Sequence, residues 1–331
     1  MANVDKLKFI LNEPFTNFLK DLLHEKFFSK SPERAVKLLE VGCGPGDFAL
    51  IMKDILGDKI DITAIDPSDD IEQASKKSTG SDVHFMKEDI FTFKSEQKFD
   101  MILFSKSLHH CNPVEQVRIS YDSFVKIGFD NLIGVQALKN AYELLTDSGI
   151  LIAEEIQFAS INDNDISWFL DRLDLVRSSG HFIPAEERIE KAGPTQKPIF
   201  GRILDSSLPV SQRWFNPHSH SHGSEHGGHH HHHHHHHHPV SEIEQKKLDR
   251  EDPNKIANSN SICTAIESQF GTNNVQLNDV PFFYHFFVML GLKNNEICQA
   301  VLREVMKQEQ KALQESKLNH LGLNIIAFKK S

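Results

Sequence analysis

Three glycines stand at alternate positions, 42, 44 and 46, in the run Leu38 to Gly46 (LLEVGCGPG), behind an apolar stretch that carries Glu40. Glycine has no Cβ, so a chain of this kind turns sharply and brings bare backbone against a ligand. Leu38, Leu39 and Val41 supply the buried strand from which the turn would spring. Further acids follow at the ends of apolar segments. Asp66 closes the run Asp61 to Asp66 and precedes Pro67 and Ser68, and Asp89 with Ile90 lies in VHFMKEDIF, Val83 to Phe91. Two imidazoles, His109 and His110, end the segment Lys98 to His110, where a ring near its ordinary pKa can take a proton from a hydroxyl. Glu154 and Glu155 close the stretch Ala137 to Ile156.

The glycine spacing narrows the chemistry. A dinucleotide fingerprint places its third glycine three residues after the second. Here it comes after two, and the turn continues into Asp47 and Phe48. This GxGxG form led by an acid resembles motif I of class I S-adenosylmethionine-dependent methyltransferases. DITAID, VHFMKEDIF, KFDMILFSKSLHH and ALKNAYELLTDSGILIAEEI then resemble, in order, that family's second to fifth strand segments.

The resemblance implies S-adenosyl-L-methionine as cofactor. Glu40 and the backbone around Gly42, Cys43, Gly44 and Gly46 would hold its methionine part, with no chemistry assigned to the Cys43 thiol. Asp66 and Pro67 would face the ribose, Asp89 and Ile90 the adenine, and Ser105 the methyl-donor side. His109 and His110 fall where the family places its substrate-facing loop, and are the candidate bases; no metal ligand is expected. Each piece also has a plainer reading: Asp66 as a helix cap, Asp89 as a turn residue, the glycines as a tight turn, Glu154 and Glu155 as a solvated strand end. The implied reaction is methyl transfer to an oxygen or nitrogen of a small-molecule acceptor. Open beside it are a protein-directed enzyme, a non-catalytic scaffold whose histidine-rich insert binds metal, and a nicotinamide-dependent enzyme on a related sheet. SKSL after the fourth strand, in place of an Asn-Pro-Pro-aromatic tetrad, weighs against enzymes acting on DNA adenine or glutamine.

The elements that must position these residues follow from periodicity. Alternating strand and helix patterns recur five times from Ala35 to Ile156, which argues for a parallel sheet with helices on both faces. The expected fold is α/β; the family resemblance implies a Rossmann-like doubly wound sheet of seven strands, the first six parallel and the last antiparallel, with a variable insert. The expected division is a helical segment at 1–34, a cofactor-binding core at 35–157, an insert or cap at 158–260 and a completion of the sheet at 261–331. Lys6 to Phe28 reads as a helix after Pro14, Ile166 to Val176 as the insert's one convincing helix, and Asn294 to Ser316 as a charged helix. VPFFYHFFVML, Val280 to Leu290, reads as the sixth strand and LGLNIIAFKKS as the seventh. The stretch Asn112 to Asn131 is long for a connection and could help wall a substrate site.

Composition sets outer bounds. The 331 residues are 39% hydrophobic, enough for a sizeable core, and carry a net charge of −10 from 46 acids and 36 bases. That field opposes approach to phosphate backbones, so nucleic acid is a disfavoured partner. No run of eighteen apolar residues and no secretory leader is visible, so neither a membrane partner nor export is expected and a cytoplasmic location is. Cys43, Cys111, Cys263 and Cys298 are far apart, without metal-ligand or disulfide spacing. A histidine-rich tract at 218–238 contains ten consecutive histidines, His229 to His238. Its composition predicts a segment that does not pack, and imidazoles in it would bind zinc, nickel or copper whether or not that is used.

Overall fold

The computed structural model describes residues 5–30, 33–111, 133–193, 196–214 and 259–330. The histidine tract and the stretch from Asn112 to Asn131 lie outside the described residues.

Seven strands form one sheet: β1 (Val36–Val41), β2 (Ile60–Ile65), β3 (His84–Met86), β4 (Phe99–Ser105), β5 (Leu145–Ile156), β6 (Val275–Val280) and β7 (Gly322–Phe328). Their order is β3-β2-β1-β4-β5-β7-β6. β1 runs parallel to β2 and β4, β2 to β3, and β4 to β5, whereas β7 is antiparallel to both β5 and β6. β6 therefore points with the first five, as the family resemblance implies. The order reverses between β1 and β4, and ligands of open α/β sheets gather outside the carboxyl ends of strands at such a switch.

Helices α1 (Lys6–Leu23), α2 (Asp47–Leu56) and α3 (Asp70–Lys77) contribute to the core on one face, with Leu38, Met101, Leu103, Ile152 and Ile326 pointing into it. Helices α4 (Ile133–Leu144) and α9 (Ser259–Phe270) cover the other face, over Leu39, Val41, Phe104, Ala153 and Ile325. A third cluster gathers α5 (Asp163–Ser178), α7 (Lys197–Ile203), α10 (Phe283–Met289) and α11 (Glu296–Gln314) with Leu7 and Ile10 of α1. Phe169 is wholly buried at its centre, its ring 5.5 Å from Phe283 and 5.7 Å from Trp214. Two shorter helices, α6 (Ala185–Glu190) and α8 (Val210–Arg213), complete the region after β5. Among the described residues no helix is long and apolar enough to cross a membrane.

Four expectations need correction. The aromatic run is not the sixth strand; it is helix α10, and β6 is the preceding VQLNDV, a largely exposed edge strand. A strand on a sheet alternates its faces, but Phe282 to Phe287 are all buried, which suits a short helix sunk in an apolar cluster. α1 does not begin after Pro14; it runs through it from Lys6, and a π-turn, His24–Phe28, follows. No helix separates β3 from β4: a turn at Asp89, in which Thr92 N donates to the Asp89 carbonyl, replaces it. The segment after β5 holds further helices beyond α5, because Phe200, Ile203, Leu204 and Trp214 have apolar partners supplied from elsewhere in the chain.

A buried acid anchors α10. Glu309 of α11 is 1% exposed and accepts from Phe282 N at 2.6 Å, Phe283 N at 2.8 Å and Tyr284 N at 3.0 Å, the amides that a helix start leaves without partners. Burial pushes its carboxyl up to about 7 against the opposing pull of these donors. In Glu309→Gln one acceptor oxygen becomes a donor facing an amide, so the variant should lose about 1–3 kcal/mol in urea unfolding. Unchanged stability would remove this anchor from the account.

Candidate functional site

The glycine turn is built by its own φ angles: Gly42, Gly44 and Gly46 stand at 74°, 50° and 76°, left-handed values that favour glycine. Added side chains would fare differently. A Cβ on Gly42 would come within 2.5 Å of Ser107 Cβ, and one on Gly46 within 2.6 Å of Ala74 and Phe85, whereas nothing lies within 4 Å of one on Gly44. Gly44 therefore presents open backbone, as a ligand cradle requires.

The turn's amides are not free for that ligand. Gly42 N and Cys43 N donate to the Ile65 carbonyl at 2.8 and 3.1 Å, Gly46 N to Cys43 O at 3.0 Å, and Gly44 N to Asp66 Oδ2 at 2.7 Å. These bonds tie the turn to itself and to the end of β2, and the backbone at Gly44 is what stays open towards a ligand. Burial pushes the Cys43 thiol far above its ordinary range, consistent with no chemistry there.

Glu40 lies beneath the turn, 2% exposed, and its Oε2 has no hydrogen-bond partner. Burial, only partly offset by Lys106, raises its carboxyl to about 8. An orphaned acid at a strand end, beside open backbone, fits a cationic ammonium group. Asp66 is 8% exposed and already accepts from Gly44 N, from Ser68 N at 2.8 Å and from Ser68 Oγ at 2.5 Å. Of roughly four acceptor positions on a carboxylate, three are occupied, so a diol here would share Asp66 or displace the Ser68 hydroxyl. Pro67 beside it is exposed. Asp89 Oδ1 accepts from Phe91 N at 2.9 Å, Ile90 is buried, and Asn140 Nδ2 fixes the loop by donating to the carbonyls of Ile90 and Phe91. These distant acids converge: the half-buried Cys111 thiol is raised to about 12, first by burial and then by the charges of Asp89, Glu155 and Asp66.

Beyond β4, Lys106 takes a left-handed φ of 57° and turns its ammonium back to Glu154 Oε2 at 2.5 Å, with Ser105 Oγ at 3.1 Å from the same nitrogen. His109 Nδ1 lies 2.6 Å from Glu155 Oε2, and Glu155 Oε1 accepts from Leu108 N at 3.1 Å. The imidazole is thus clamped at one nitrogen, leaving Nε2 to act. His110 is the more exposed of the pair, 4.1 Å from His109 ring to ring; partial burial, then His109, push it down to about 4. Glu154 and Glu155 are 3% and 1% exposed, so the solvated-strand-end reading is overturned: each is buried against a nitrogen partner. Among the described residues no group of three or more His, Cys, Asp or Glu could hold a metal ion.

Sequence reasoning missed Lys106, Tyr284, His285 and Asn324. A lone Asn inside the apolar GLNIIAF and a lone His inside PFFYHFF were the available signals.

Residues 32–168 match a family model described as a methyltransferase domain. The chain is 29% identical over 124 residues to an uncharacterized methyltransferase of Staphylococcus carnosus, covering 38% of this chain and 49% of that protein. It is 29% identical over 140 residues to a ubiquinone biosynthesis O-methyltransferase of Rickettsia felis, covering 41% of this chain and 54% of that one. The chain therefore spans about half the length of these curated relatives. Among solved structures, the plantazolicin methyltransferase BpumL in complex with a triazolic desmethylPZN analog and SAH aligns over 98% of this chain and 90% of that one, with 12% identity and a TM-score of 0.43. An S-adenosylmethionine-dependent methyltransferase from Clostridium acetobutylicum aligns over 48% and 54%, with 16% identity and a TM-score of 0.34.

Glu40 gives a pH signature. Unfolded, it loses its proton near 4.5; folded, it keeps it to about 8. Between those values the folded state binds the extra proton, so this residue's contribution makes stability fall as pH rises. Melting temperatures from pH 5 to 8 should decline more steeply in the parent than in Glu40→Gln. Parallel curves would mean that Glu40 ionises normally.

Proposed function

We propose that residues 32–168, which match a methyltransferase domain, form a class I S-adenosylmethionine-dependent methyltransferase domain, and that the chain transfers a methyl group to an oxygen or nitrogen of a small-molecule acceptor. The observation that carries the reading is the buried Glu40 carboxyl, whose Oε2 has no partner among the described residues, at the end of the strand that leads into the open backbone of Gly44. Glu40 and the open backbone at Gly44 would border the methionine part, Asp66 and Pro67 the ribose, and Asp89 and Ile90 the adenine. Ser105, tethered to Lys106 and Glu154, would border the transferable group.

Bound there, S-adenosylmethionine supplies an activated methyl whose leaving group is a neutral thioether. The chain's own work is alignment, exclusion of water and management of the acceptor's proton. For the last task His109 is the better placed imidazole, because Glu155 fixes its orientation through Nδ1 and would stabilise the ring once Nε2 has gained a proton. Among the described residues His110 has no such partner carboxylate, and its depressed pKa makes it the weaker base.

Calorimetric titration with S-adenosylmethionine and S-adenosylhomocysteine should give micromolar binding to the parent, weakened at least about tenfold, or 1.4 kcal/mol, in Asp66→Ala. No binding to the parent would end the transfer reading. His109→Ala should keep S-adenosylhomocysteine affinity while lowering kcat on hydroxyl acceptors by roughly 100-fold. Incubation of a cell extract with methyl-labelled donor should place label in the low-molecular-weight fraction; label in protein alone would favour a protein acceptor.

A further inference from the structure

The sheet carries a polar row beyond the residues assigned to the cofactor. Residues opposite one another on paired strands share a face, and Ser105 of β4 stands opposite Glu154 of β5, which stands opposite Asn324 of β7. One step further in, the same face carries Glu40, Leu103, Ile152 and Ile326. Glu40, Ser105, Glu154 and Asn324 therefore lie on one side of the sheet, running from the glycine turn towards β7.

α10 roofs the far end of this row. Gly322, two residues before Asn324 and on the same face, has no room for a side chain because a Cβ there would meet Val280 Cγ2 at 2.7 Å, and Phe282 Cβ of the α10 start would lie 3.2 Å from it. Phe282 stacks on the His285 ring at 4.2 Å and 13°, while Tyr284 crowds the ring at 4.4 Å, so only the edge of the imidazole can engage a ligand. His285 lies close enough to Lys106 to feel its charge, and Tyr284 close enough to feel Glu154. Roof and row thus face the same charges.

Among the described residues two polar atoms here have no hydrogen-bond partner: Asn324 Oδ1, on a residue 4% exposed, and His285 Nε2, on one 5% exposed. A buried unpaired polar atom costs about 1–3 kcal/mol and calls for an explanation. The paired cation and carboxylate, Lys106 and Glu154, add no net charge, and an ion entering such a dry site would lose its hydration without a countercharge.

We infer that Asn324 Oδ1 and the edge of His285, between the Glu154 row and the aromatic roof of α10, form the acceptor subsite, and that it takes an uncharged aromatic alcohol or phenol, whose hydroxyl donates to Asn324. This rests on the methyl-transfer reading and deepens it. Asn324 and His285 select and position the acceptor, and no proton transfer is assigned to either. The neutrality of His285, enforced by burial and by Lys106, suits it to accept or donate a hydrogen bond without carrying charge.

The test uses full-length protein saturated with S-adenosylhomocysteine and three probes of one shape, 4-fluorobenzyl alcohol, 4-fluorobenzoate and 4-fluorobenzylamine, followed by fluorine NMR line broadening. Parent protein should broaden the alcohol saturably and bind the anion and cation at least tenfold more weakly. Asn324→Leu and His285→Phe, which keep bulk and remove the polar atoms, should each weaken the alcohol at least tenfold while leaving S-adenosylhomocysteine affinity and melting temperature near the parent's. Asn324→Asp, a second variant of the same size, should shift preference towards the amine. If the cofactor product binds but the alcohol does not, or binds Asn324→Leu and His285→Phe as it binds the parent, or yields to the benzoate, the subsite is overturned while the transfer reading stands. If S-adenosylhomocysteine fails to bind the parent, the transfer reading falls and the subsite falls with it.

Discussion

Two consecutive glutamates at the end of β5 grip the exit of β4 from opposite sides of the sheet, and the geometry of the site depends on that grip. Neighbouring residues of a strand point to opposite faces, so Glu154 reaches Lys106 on one side while Glu155 reaches His109 and the Leu108 amide on the other. Lys106 in its left-handed conformation is strained by about 1–3 kcal/mol, and the two clamps supply what holds it there. Next along, Ser107 donates to the Val41 carbonyl at 2.5 Å and packs where a side chain on Gly42 would otherwise be. The exit of β4 and the turn after β1 therefore fit together as one unit, and an error in either displaces the other.

The buried polar groups sort into two kinds. Glu155, Glu309 and Asp165 are satisfied by named donors within the chain, and they shape it. Among the described residues Glu40 Oε2, Asn324 Oδ1, His285 Nε2 and Trp214 Nε1 are not; the first two share one face of the sheet, His285 lies on α10 and Trp214 in the aromatic cluster. Native proteins keep such unsatisfied atoms sparingly, and stability given up at one edge of a sheet is a recurring mark of sites shaped for something other than folding.

The parallel half of the fold was legible because its signals are local: apolar runs ending in acids, and glycines at a spacing that only a tight turn explains. Glu40, Asp66, Asp89 and the histidine pair could be named from such signals. The spent amides of the turn were not, since their partner Ile65 is more than twenty positions away and reveals itself only when β1 and β2 pair. α10 was misread for a related reason. Six consecutive buried residues look like a core strand, and what makes them a helix is Glu309, well downstream in sequence, together with an aromatic cluster drawn from α5 and α8. Lys106 and Asn324 escaped notice because a single polar residue at a strand end acquires meaning only from its neighbours across the sheet.

Helix α1 joins two cores and carries a proline between them. Leu7 and Ile10 belong to the cluster around Phe169, Phe15 and Leu19 to the core over β1, and Pro14 lies at the boundary. Proline cannot donate to the carbonyl one turn back, so the backbone ladder is thinnest at that joint. Charged ties fasten the helix on the N-terminal side of it: Lys8 to Asp47 at the head of α2, and Glu13 to Arg303 of α11. In mechanical terms the helix is a stiff rod with one compliant point, and a bend there would rock the aromatic roof over the strand ends while leaving the sheet untouched.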